Sequence, residues 1–542
     1  MKIQWVFFPL FCVVIAGVAG CGNGSGSSSE SGSGSSGPQS LTTQVGKTDN
    51  PQVALYTLNL PKSGEVTIEF GKDTNYGLNT WTVASPDNGG AVSIFVAGML
   101  ANTTYHMRAD IDYSDGTSAM DTDHTFATGA LPTGMSPVMA VATTPGLTPQ
   151  PGIEMINGTS GNARGLFATD LNGNVIWTYN FPDQQPGESV QGAKLLPNGD
   201  ILLAVGPTSS IPLTQAIAAG TPTAVREINL ATDIVKQVTI TGLNSSLAAA
   251  GYSNLTLQTF HHDVTPLANG HWLVLANTLK QVTLSGASAP TTVLGDVIID
   301  LDTKLNPVWV WNEFDHLDVN RHPYMFPDWT HTNAVVYSPD DGNLIVSMRH
   351  QNWVVKVDYN NGAGQGDILW RLGPGGDFTL EDSSGDTDTN PADWFYAQHY
   401  PSFFSPNTSG VFSLGLMDNG DDRAFSDGTN CAVQGNALCY STVPVLQLDE
   451  NAKTAKFQFH QVLSPSLYNN FGGNTDQLDN GNVEYDLCGE PTAQTTSTQI
   501  FEVTNQSTPQ TVWNMQLTGT NAYRALRMPS LYPGVQWSGT NF

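Results

Sequence analysis

The chain has 542 residues and carries 48 aspartates and glutamates against 20 lysines and arginines, for a formal net charge of −28. This acidic balance argues against nucleic-acid binding, which requires a basic face. Abundant Gly and Pro indicate short strands joined by turns, and the length exceeds that of one typical domain.

Residues 1–21 form a predicted targeting segment. Its apolar stretch is short for a membrane span of about 20 residues. The sequence VAGC at 18–21 resembles the lipobox of bacterial lipoproteins, which implies cleavage before Cys21 and lipidation of its thiol. An ordinary signal peptide that happens to abut a cysteine is the alternative. Residues 22–40 are almost all Gly and Ser, so we expect a flexible tether of roughly 25 Å that keeps the protein at a membrane of the cell envelope.

Residues 41–130 show the period-two alternation of β-strands, with turn residues between the strands. The stretch LANTTYHMR from Leu100 resembles the tyrosine-corner region of fibronectin type III domains. We therefore predict a small β-sandwich with a structural role, which is spacing, docking or contact in a homodimer.

Residues 131–542 contain a repeat. An apolar strand, a polar turn and a second strand, usually bearing Trp, recur from Leu166, Val225, Val297, Val354, Val445 and Ile500. Hairpins that carry a Gly fall between them, from Lys194, Pro266, Asp340, Ser409 and Gln477. Two hairpins make a four-stranded sheet, and six such sheets arranged radially predict an all-β chain with a six-bladed propeller. A large irregular β-sandwich is the alternative.

The first strand of each propeller blade lines the central channel, so the residues just before each Gly hairpin should face the axis. Counting back from these glycines gives Gln191, His262, His331, His399 and Gly473. Three histidines thus fall at equivalent positions. Arg349, on the strand paired with that of His331, adds the positive charge that an anionic substrate needs. Asn333 lies two residues after His331, so we expect both side chains on one face of a strand.

Other functions fit parts of this pattern. Three histidines can hold zinc, which makes a metal-dependent hydrolase or lyase an alternative, although Arg349 would be repelled by the cation. A non-catalytic lipoprotein scaffold of the envelope is another. No nucleophile elbow or phosphate-binding loop occurs, so neither a nucleotide nor another cofactor is expected. The sequence DNGDDR at 418–423 is interpreted as an acidic turn rather than as part of the site.

Cys431 and Cys439 enclose a short loop rich in Asn, Gly and Ala. Export permits disulfides, so we predict that this pair is bonded and that Cys488 is free. A metal site is the competing interpretation, but no His or Cys spacing supports it.

The ordered motifs resemble those of bacterial arylsulfate sulfotransferases that do not use a nucleotide donor. They are HHD at 261–263, DWTHTN at 328–333, SMRHQ at 347–351, QH at 398–399, DNG at 418–420 and YRALR at 523–527. The resemblance implies a six-bladed propeller preceded by a β-domain, and transfer of a sulfuryl group from a phenolic sulfate donor to a phenol acceptor.

The resemblance also implies roles for individual residues. His399 would be the nucleophile of a ping-pong reaction and would be transiently sulfated, while His262, His331, Asn333 and Arg349 would cradle the sulfuryl group. We expect His331 to protonate the leaving phenolate, with His262 as the second choice. Activity should fall as the pH drops below about 6.5, a limit shifted by the nearby cation. The cysteine pair after His399 and the lipid anchor depart from the family pattern.

Overall fold

The computed structural model describes residues 41–159, 161–179, 188–207, 223–382, 384–431, 439–489, 497–540 and 542. The predicted signal segment, Cys21 and the Gly/Ser tether therefore lie outside the described residues. The described chain is nearly all β, with a single α-helix at Ile240–Ala249, which confirms the predicted all-β class. Within these ranges no helix has the length and apolar character needed to cross a membrane.

Two sheets form between residues 42 and 127. The first contains Thr42–Lys47, Ala54–Leu60 and Gly90–Val96, and the second contains Gly64–Gly71, Leu78–Asn79, Val83–Ala84, Thr104–Tyr113, Ser118–Met120 and His124–Ala127. Tyr105 is fully buried, and its hydroxyl accepts a hydrogen bond from the backbone N–H of Leu100 at 3.0 Å. This contact, from a tyrosine back to the backbone a few residues upstream, is the one that a tyrosine corner makes.

Six further sheets occupy the described part of residues 138–528. The strand order of each sheet starts at the edge nearest the cavity described below, which we call the inner edge. Sheet 1 is Ala522–Met528, Ile153–Gly158, Gly165–Thr169 and Val175–Thr178; sheet 2 is Glu188–Leu195, Ile201–Pro207, Ala224–Ile228 and Ile234–Thr239; sheet 3 is Leu257–Pro266, Trp272–Val282, Thr291–Leu301 and Pro307–Asn312. Sheet 4 is Thr332–Ser338, Asn343–Met348, Trp353–Val357 and Ile368–Leu372; sheet 5 is His399–Thr408, Val411–Met417, Thr442–Asp449 and Thr454–Val462, with Thr379–Glu381 at its edge; sheet 6 is Thr475–Gln477, Val483–Leu487, Ser497–Val503 and Thr511–Thr518, with Val138–Thr143 at its edge.

These sheets confirm the repeat. Each of the six Trp-type hairpins predicted from the sequence supplies the third and fourth strands of one sheet, and each of the five Gly hairpins supplies the first two. Short 3₁₀ turns occur at Glu313–Asp315, Arg349–Gln351, Asn360–Gly362, Pro391–Asp393 and Pro465–Leu467. Many strands carry apolar side chains on both of their faces, because both faces are buried between neighbouring sheets.

The recurring tryptophans connect successive sheets. Trp177, in the last strand of sheet 1, donates from its indole N–H to the carbonyl of Leu230 in sheet 2 at 2.8 Å. The indole N–H groups of Trp311 and Trp513 donate in the same way to the carbonyls of Gly366 and Leu171, which connects sheet 3 to sheet 4 and sheet 6 to sheet 1. Between sheets 4 and 5, Trp370 donates instead to the side-chain carboxylate of Glu450. Each acceptor lies in the turn before the last strand of the next sheet, so the Trp of the repeat is an inter-sheet contact.

Both ends of this region pair with the opposite end of the chain. Ala522–Met528 forms the inner strand of sheet 1 beside Ile153–Gly158, and Val138–Thr143 forms the outer strand of sheet 6 beside Thr511–Thr518. Sequence reasoning had supplied no inner strand for sheet 1. It is contributed by the C-terminal YRALR motif, which therefore has a structural function as well.

Candidate active site

A cavity of about 590 Å³ opens where the inner strands of the six sheets begin. Its lining is Thr159, Ser189, Gln191, His262, Tyr324, Met325, His331, Arg349, His399, Asp421, Tyr468, Asn470, Phe471 and Tyr523. The three histidines and the arginine predicted from the sequence are therefore brought together in one cavity. The predicted Asn333 is not among the lining residues.

Irregular backbone aims the histidines into the cavity. His262 has φ +57° and His331 has φ +49°, a left-handed conformation that few residues other than Gly adopt. Strand register shifts between Phe260 and Val264, and again directly after His399. Such bulges redirect a side chain without ending the strand, so the histidines leave the regular in-and-out alternation of their sheets.

His399 is held in one tautomer. Its Nδ1 lies 2.6 Å from Oδ1 of Asn419, while the amide nitrogen of Asn419 donates to the carbonyls of Asn469 at 2.8 Å and Gly472 at 3.1 Å. Because two carbonyls fix the amide nitrogen, the amide oxygen must face His399 and Nδ1 must carry the hydrogen. Burial, reinforced by the charge of Arg349, lowers the pKa of His399 well below its usual range. The neutral ring therefore has its lone pair on Nε2, which the N–H of Gly472 approaches at 3.3 Å.

Arg349 is clamped from several sides. Its Nη2 donates to Oδ2 of Asp421 at 2.6 Å and to the carbonyl of Asn470 at 3.1 Å, and its Nη1 lies 2.7 Å from Nε2 of His350. Its Nε is buried and has no hydrogen-bond partner. Asp421 also accepts a hydrogen bond from the hydroxyl of Tyr468. The guanidinium is thus fixed in the cavity wall, with its Nε–H left unpaired.

The acidic turn at 418–423 is part of this wall. Gly420 supplies the positive φ expected of a turn, at +79°, but Asp421 and Asp418 are buried and ion-pair with Arg349 and Arg423. Burial raises the pKa of Asp421 to about 6, against the opposite effect of Arg349. The interpretation of this turn as separate from the site is therefore wrong. The position of this turn, directly after the strand pair that begins with His399, is the sequence feature that indicates its place at the site.

His331 has a carboxylate partner that the sequence did not single out. Its Nδ1 lies 2.6 Å from Oδ2 of Asp328, and its ring stacks on that of His350 with centroids 4.3 Å apart. Burial opposes ionisation of Asp328, but the charge and hydrogen bond of His331 outweigh it and hold the pKa of this carboxyl below its usual range. The carboxylate therefore accepts from Nδ1, and Nε2 of His331 is left for a substrate.

Asp328, His331 and His350 are the group of possible metal ligands whose donor atoms come within 4.8 Å of one another in the described chain. His350 is poorly suited to ligation, because Nδ1 lies 2.6 Å from the backbone oxygen of Asp328 and Nε2 faces the guanidinium of Arg349. His262, His331 and His399 do not form such a group. The side chains that line the cavity therefore favour an anionic substrate over a cation.

Asn333 lies behind the cavity. Its amide nitrogen donates to the backbone carbonyl of Gln398 at 2.7 Å, directly before His399, and its own carbonyl accepts from Arg524 at 2.8 Å. The expectation that His331 and Asn333 share one face of a strand is wrong, because His331 precedes the strand in a left-handed conformation and the register shifts between Thr332 and Ala334. Asn333 therefore supports the backbone segment that places His399 at the cavity.

The predicted disulfide is confirmed, since Cys431 and Cys439 are bonded and Cys488 is free and buried. Sγ of Cys431 lies 3.2 Å from the carbonyl of Gly420 and 3.3 Å from that of Asp421. The bridge thus packs against the turn that holds Arg349.

No curated protein matches the chain. Among solved structures, a protein of unknown function from Bacteroides caccae aligns at 10% identity with a TM-score of 0.31, covering 74% of this chain and 94% of that one. Cobalt-substituted apocarotenoid oxygenase from Synechocystis aligns at 9% identity with a TM-score of 0.32, covering 90% of this chain and 96% of that one.

The family model described as Arylsulfotransferase (ASST) matches residues 141–524, which is most of the chain and includes every predicted catalytic residue. Membership supports aryl sulfotransferase activity, with phenolic sulfates and phenols as the substrates that the family implies. The chain belongs to the arylsulfotransferase family, as its motifs predicted.

Proposed function

We propose that this protein moves a sulfuryl group from a phenolic sulfate to a phenol in two steps, through a sulfohistidine at His399. The observation that carries the proposal is the state of this ring. It is neutral and buried, its Nδ1–H is tied to Asn419, and its Nε2 carries the lone pair at a cavity that also holds Arg349. The 3.3 Å hydrogen bond that Nε2 accepts from the N–H of Gly472 must be given up when Nε2 attacks the sulfur. A nucleophile fixed in its reactive tautomer beside one cation suits the attack on an anionic ester.

In the first step, Nε2 of His399 attacks the sulfur, an S–N bond forms and the S–O bond to the aryl group breaks. The leaving phenolate takes a proton from His331, whose Nδ1 is held by Asp328 at 2.6 Å. In the second step the oxygen of the acceptor phenol attacks the same sulfur, the S–N bond breaks, and the proton of the phenol passes to a base in the cavity. Two displacements of this kind give ping-pong kinetics.

Arg349 supplies the fixed positive charge for the sulfuryl oxygens. Because Asp421, His350 and Asn470 already hold it, the guanidinium does not need to reorganise when charge develops on these oxygens. Asn333 acts indirectly, because its amide donates to the backbone carbonyl of Gln398, the residue before His399. Tyr324, Tyr468, Phe471 and Tyr523 give the cavity the aromatic surface that a phenyl ring packs against.

The test is to expose the protein to p-nitrophenyl sulfate without acceptor. We expect one equivalent of p-nitrophenol per active site and a sulfated peptide that contains residue 399, detected by mass spectrometry. His399→Ala should abolish both. His106→Ala, which alters a partly exposed histidine paired with Asp123 far along the chain, is the matched control. Turnover by His399→Ala at the wild-type rate would refute the proposal.

We also propose that the six sheets are the blades of one propeller, preceded by a fibronectin III-like sandwich. The Trp contacts between successive sheets support this arrangement, because the last of them runs from Trp513 in sheet 6 to Leu171 in sheet 1. Pairing of the N-terminal edge strand with sheet 6 and of the C-terminal strand with sheet 1 supports it further. A low-resolution solution envelope without a ring-shaped body would contradict this architecture.

The lipobox-like sequence supports a third proposal, that Cys21 is lipidated and anchors the protein in the cell envelope. Cys21→Ser should move the protein from the membrane fraction to the soluble fraction after cell lysis. The sandwich region is proposed as the homodimer contact, and equilibrium sedimentation of a monomer at micromolar concentration would exclude it.

A further inference from the structure

The entrance of the cavity carries an exposed apolar side chain that the mechanism does not use. Met325 lines the cavity and is 59% exposed. Among the large apolar side chains that are exposed in the described ranges, Met325 is the one that lines this cavity. By contrast, His399 is 2% exposed and Arg349 is 8% exposed. The cavity therefore has its nucleophile and its cation at the base and an apolar side chain at the entrance.

This methionine belongs to the connection between sheets 3 and 4, residues 316–327, which we call the rim loop. The first half of the rim loop is anchored by Arg321, whose Nη1 donates to the carbonyl of Gln351 at 2.8 Å and to its Oε1 at 2.7 Å. The guanidinium of Arg321 also lies 3.4 Å from the ring centroid of Trp353. Its backbone carbonyl accepts from the indole N–H of Trp329 at 2.8 Å. These contacts fix the first half of the rim loop to sheet 4.

The second half of the rim loop is anchored to sheet 3. The carbonyl of Pro327 accepts from the backbone N–H of Leu294 at 3.0 Å, and the rings of His322 and Phe326 lie 4.5 Å apart. Between the two anchors, Met325 adopts φ +49°, a conformation that is uncommon for residues other than Gly. Such a conformation persists only where the surrounding structure imposes it. The loop therefore holds Met325 at the entrance.

Tyr324 lies between the cation and this methionine. Its ring centroid is 5.5 Å from Cζ of Arg349 and 5.3 Å from the ring centroid of His350, and the side chain lines the cavity. A sulfuryl group held by Arg349 therefore has the Tyr324 ring beside it. An aryl group that extends from this sulfuryl group toward the entrance passes Tyr324 first and Met325 second.

The size of the cavity indicates how far the aryl group extends. Its volume of about 590 Å³ lies within the range of about 300–1,000 Å³ that holds drug-sized ligands, whereas phenyl sulfate has a single ring. We propose that Met325 is a specificity-determining residue that selects aryl groups of two or more fused rings, with the first ring on Tyr324 and the second against the thioether. A thioether makes favourable contacts with aromatic rings and adapts to their shape. The inference rests on the proposed function, because it names the aryl groups that the same site takes.

Phenol and 2-naphthol test this selection, since they are acceptors of similar acidity that differ by one fused ring. With p-nitrophenyl sulfate as the donor, we expect kcat/KM of the wild-type protein to be about tenfold higher for 2-naphthol, from apolar burial and the sulfur–aromatic contact. Met325→Ala removes the thioether, so it should lower the ratio of the two kcat/KM values to about one. Steady-state kinetics with each acceptor measures the ratio.

Three further variants separate the side chain from the backbone of the rim loop. Met120→Ala is the matched control, because Met120 is 46% exposed and does not line the cavity, and it should keep the wild-type ratio. Met325→Gly removes the side chain and suits a left-handed backbone, so it should give the same ratio as Met325→Ala even if alanine alters the loop. Met325→Leu keeps an apolar side chain of similar volume and should keep most of the preference.

Binding measured without turnover distinguishes the two possible failures. In His399→Ala, adding Met325→Ala should weaken binding of 2-naphthyl sulfate about tenfold more than binding of phenyl sulfate, measured by calorimetric titration. Equal use of both acceptors by the wild-type protein, or an unchanged ratio in Met325→Gly, would overturn the inference while leaving the sulfohistidine intact. Full turnover by His399→Ala would instead remove the proposed function, and the titration would still report whether the cavity selects the larger aryl group.

Discussion

Asn419→Asp tests whether the neutral His399 ring is the nucleophile. The substitution keeps an oxygen 2.6 Å from Nδ1 of His399 and replaces the amide NH₂ with a second oxygen. A carboxylate beside a buried imidazole favours the imidazolium, so it raises the pKa of His399, which is otherwise well below its usual range. At a charge separation of about 4 Å, with an effective dielectric constant of about 20, the attraction is about 4 kcal/mol.

The wild-type donor step should remain fast at pH values well below 6.5, because a lowered pKa keeps the ring neutral there. In Asn419→Asp the fall in the p-nitrophenol burst rate should begin up to about three pH units higher, which is the equivalent of 4 kcal/mol. The new oxygen also faces the carbonyls of Asn469 and Gly472, which lose a donor, so the free energy of unfolding should fall by about 1–3 kcal/mol for each. Asn75→Asp adds the same charge at an exposed site as a control. An unchanged pH profile in a folded variant would refute the reasoning.

Two other substitutions address the cation and its support. Arg349→Lys should lower kcat/KM by about 10²–10³-fold, because an ammonium cannot keep the contacts to Asp421 and Asn470 while facing the sulfuryl oxygens; initial rates with p-nitrophenyl sulfate near the wild-type value would contradict this. Cys431→Ser should lower the free energy of unfolding by about 2.5 kcal/mol, from the short loop that the disulfide closes, and should raise KM for the donor because the bridge packs on the turn of Asp421. Denaturant titration and steady-state kinetics measure these effects, and an unchanged KM would show that the turn keeps its place without the bridge.

The repeat was predictable because each sheet buries the same face with the same residue types. Trp177, Trp311, Trp370 and Trp513 recur at the fourth strand since each must reach the next sheet with its indole N–H. Counting back from the turn glycines then pointed to His262, His331 and His399, which all line the cavity although the inner strands differ in length.

Asn333 was placed wrongly because the count assumed regular strands. The left-handed backbone at His331 and the register shift after Thr332 change the direction of the side chains that follow. The residue types at these two positions do not predict such a conformation. Histidine is enriched among the few non-Gly residues that adopt positive φ, but the conformation is still uncommon for it, so the sequence alone does not predict it at His331. The surrounding contacts impose it, and those contacts are made by residues distant in sequence.

Asp421 and the C-terminal strand were missed for a related reason. An acidic turn with Asn-Gly has the same composition whether it faces water or a buried arginine, and only the tertiary contact with Arg349 distinguishes the two. Pairing of Ala522–Met528 with Ile153–Gly158 joins segments more than 350 residues apart. Strand alternation in either segment carries no information about its partner.

The inner strands below the cavity are tied together by polar side chains, and this explains how irregular backbone is tolerated at the site. Arg524 of sheet 1 donates to Asp263 of sheet 3 and to the carbonyl of Asn333 in sheet 4, both at 2.8 Å, and Lys194 of sheet 2 donates to the hydroxyl of Tyr400 in sheet 5 at 2.7 Å. Removing one partner from a buried ion pair costs about 3–5 kcal/mol.

That penalty exceeds the roughly 1–3 kcal/mol of a strained backbone position, so the polar network can hold His262 and His331 in their left-handed conformations. Asp263 follows His262 directly, and Asn333 lies two residues after His331. Each histidine is therefore fixed through a neighbour that is anchored to Arg524. The C-terminal strand that carries Arg524 thus controls the geometry of histidines contributed by other sheets, although the Arg524 side chain does not itself line the cavity.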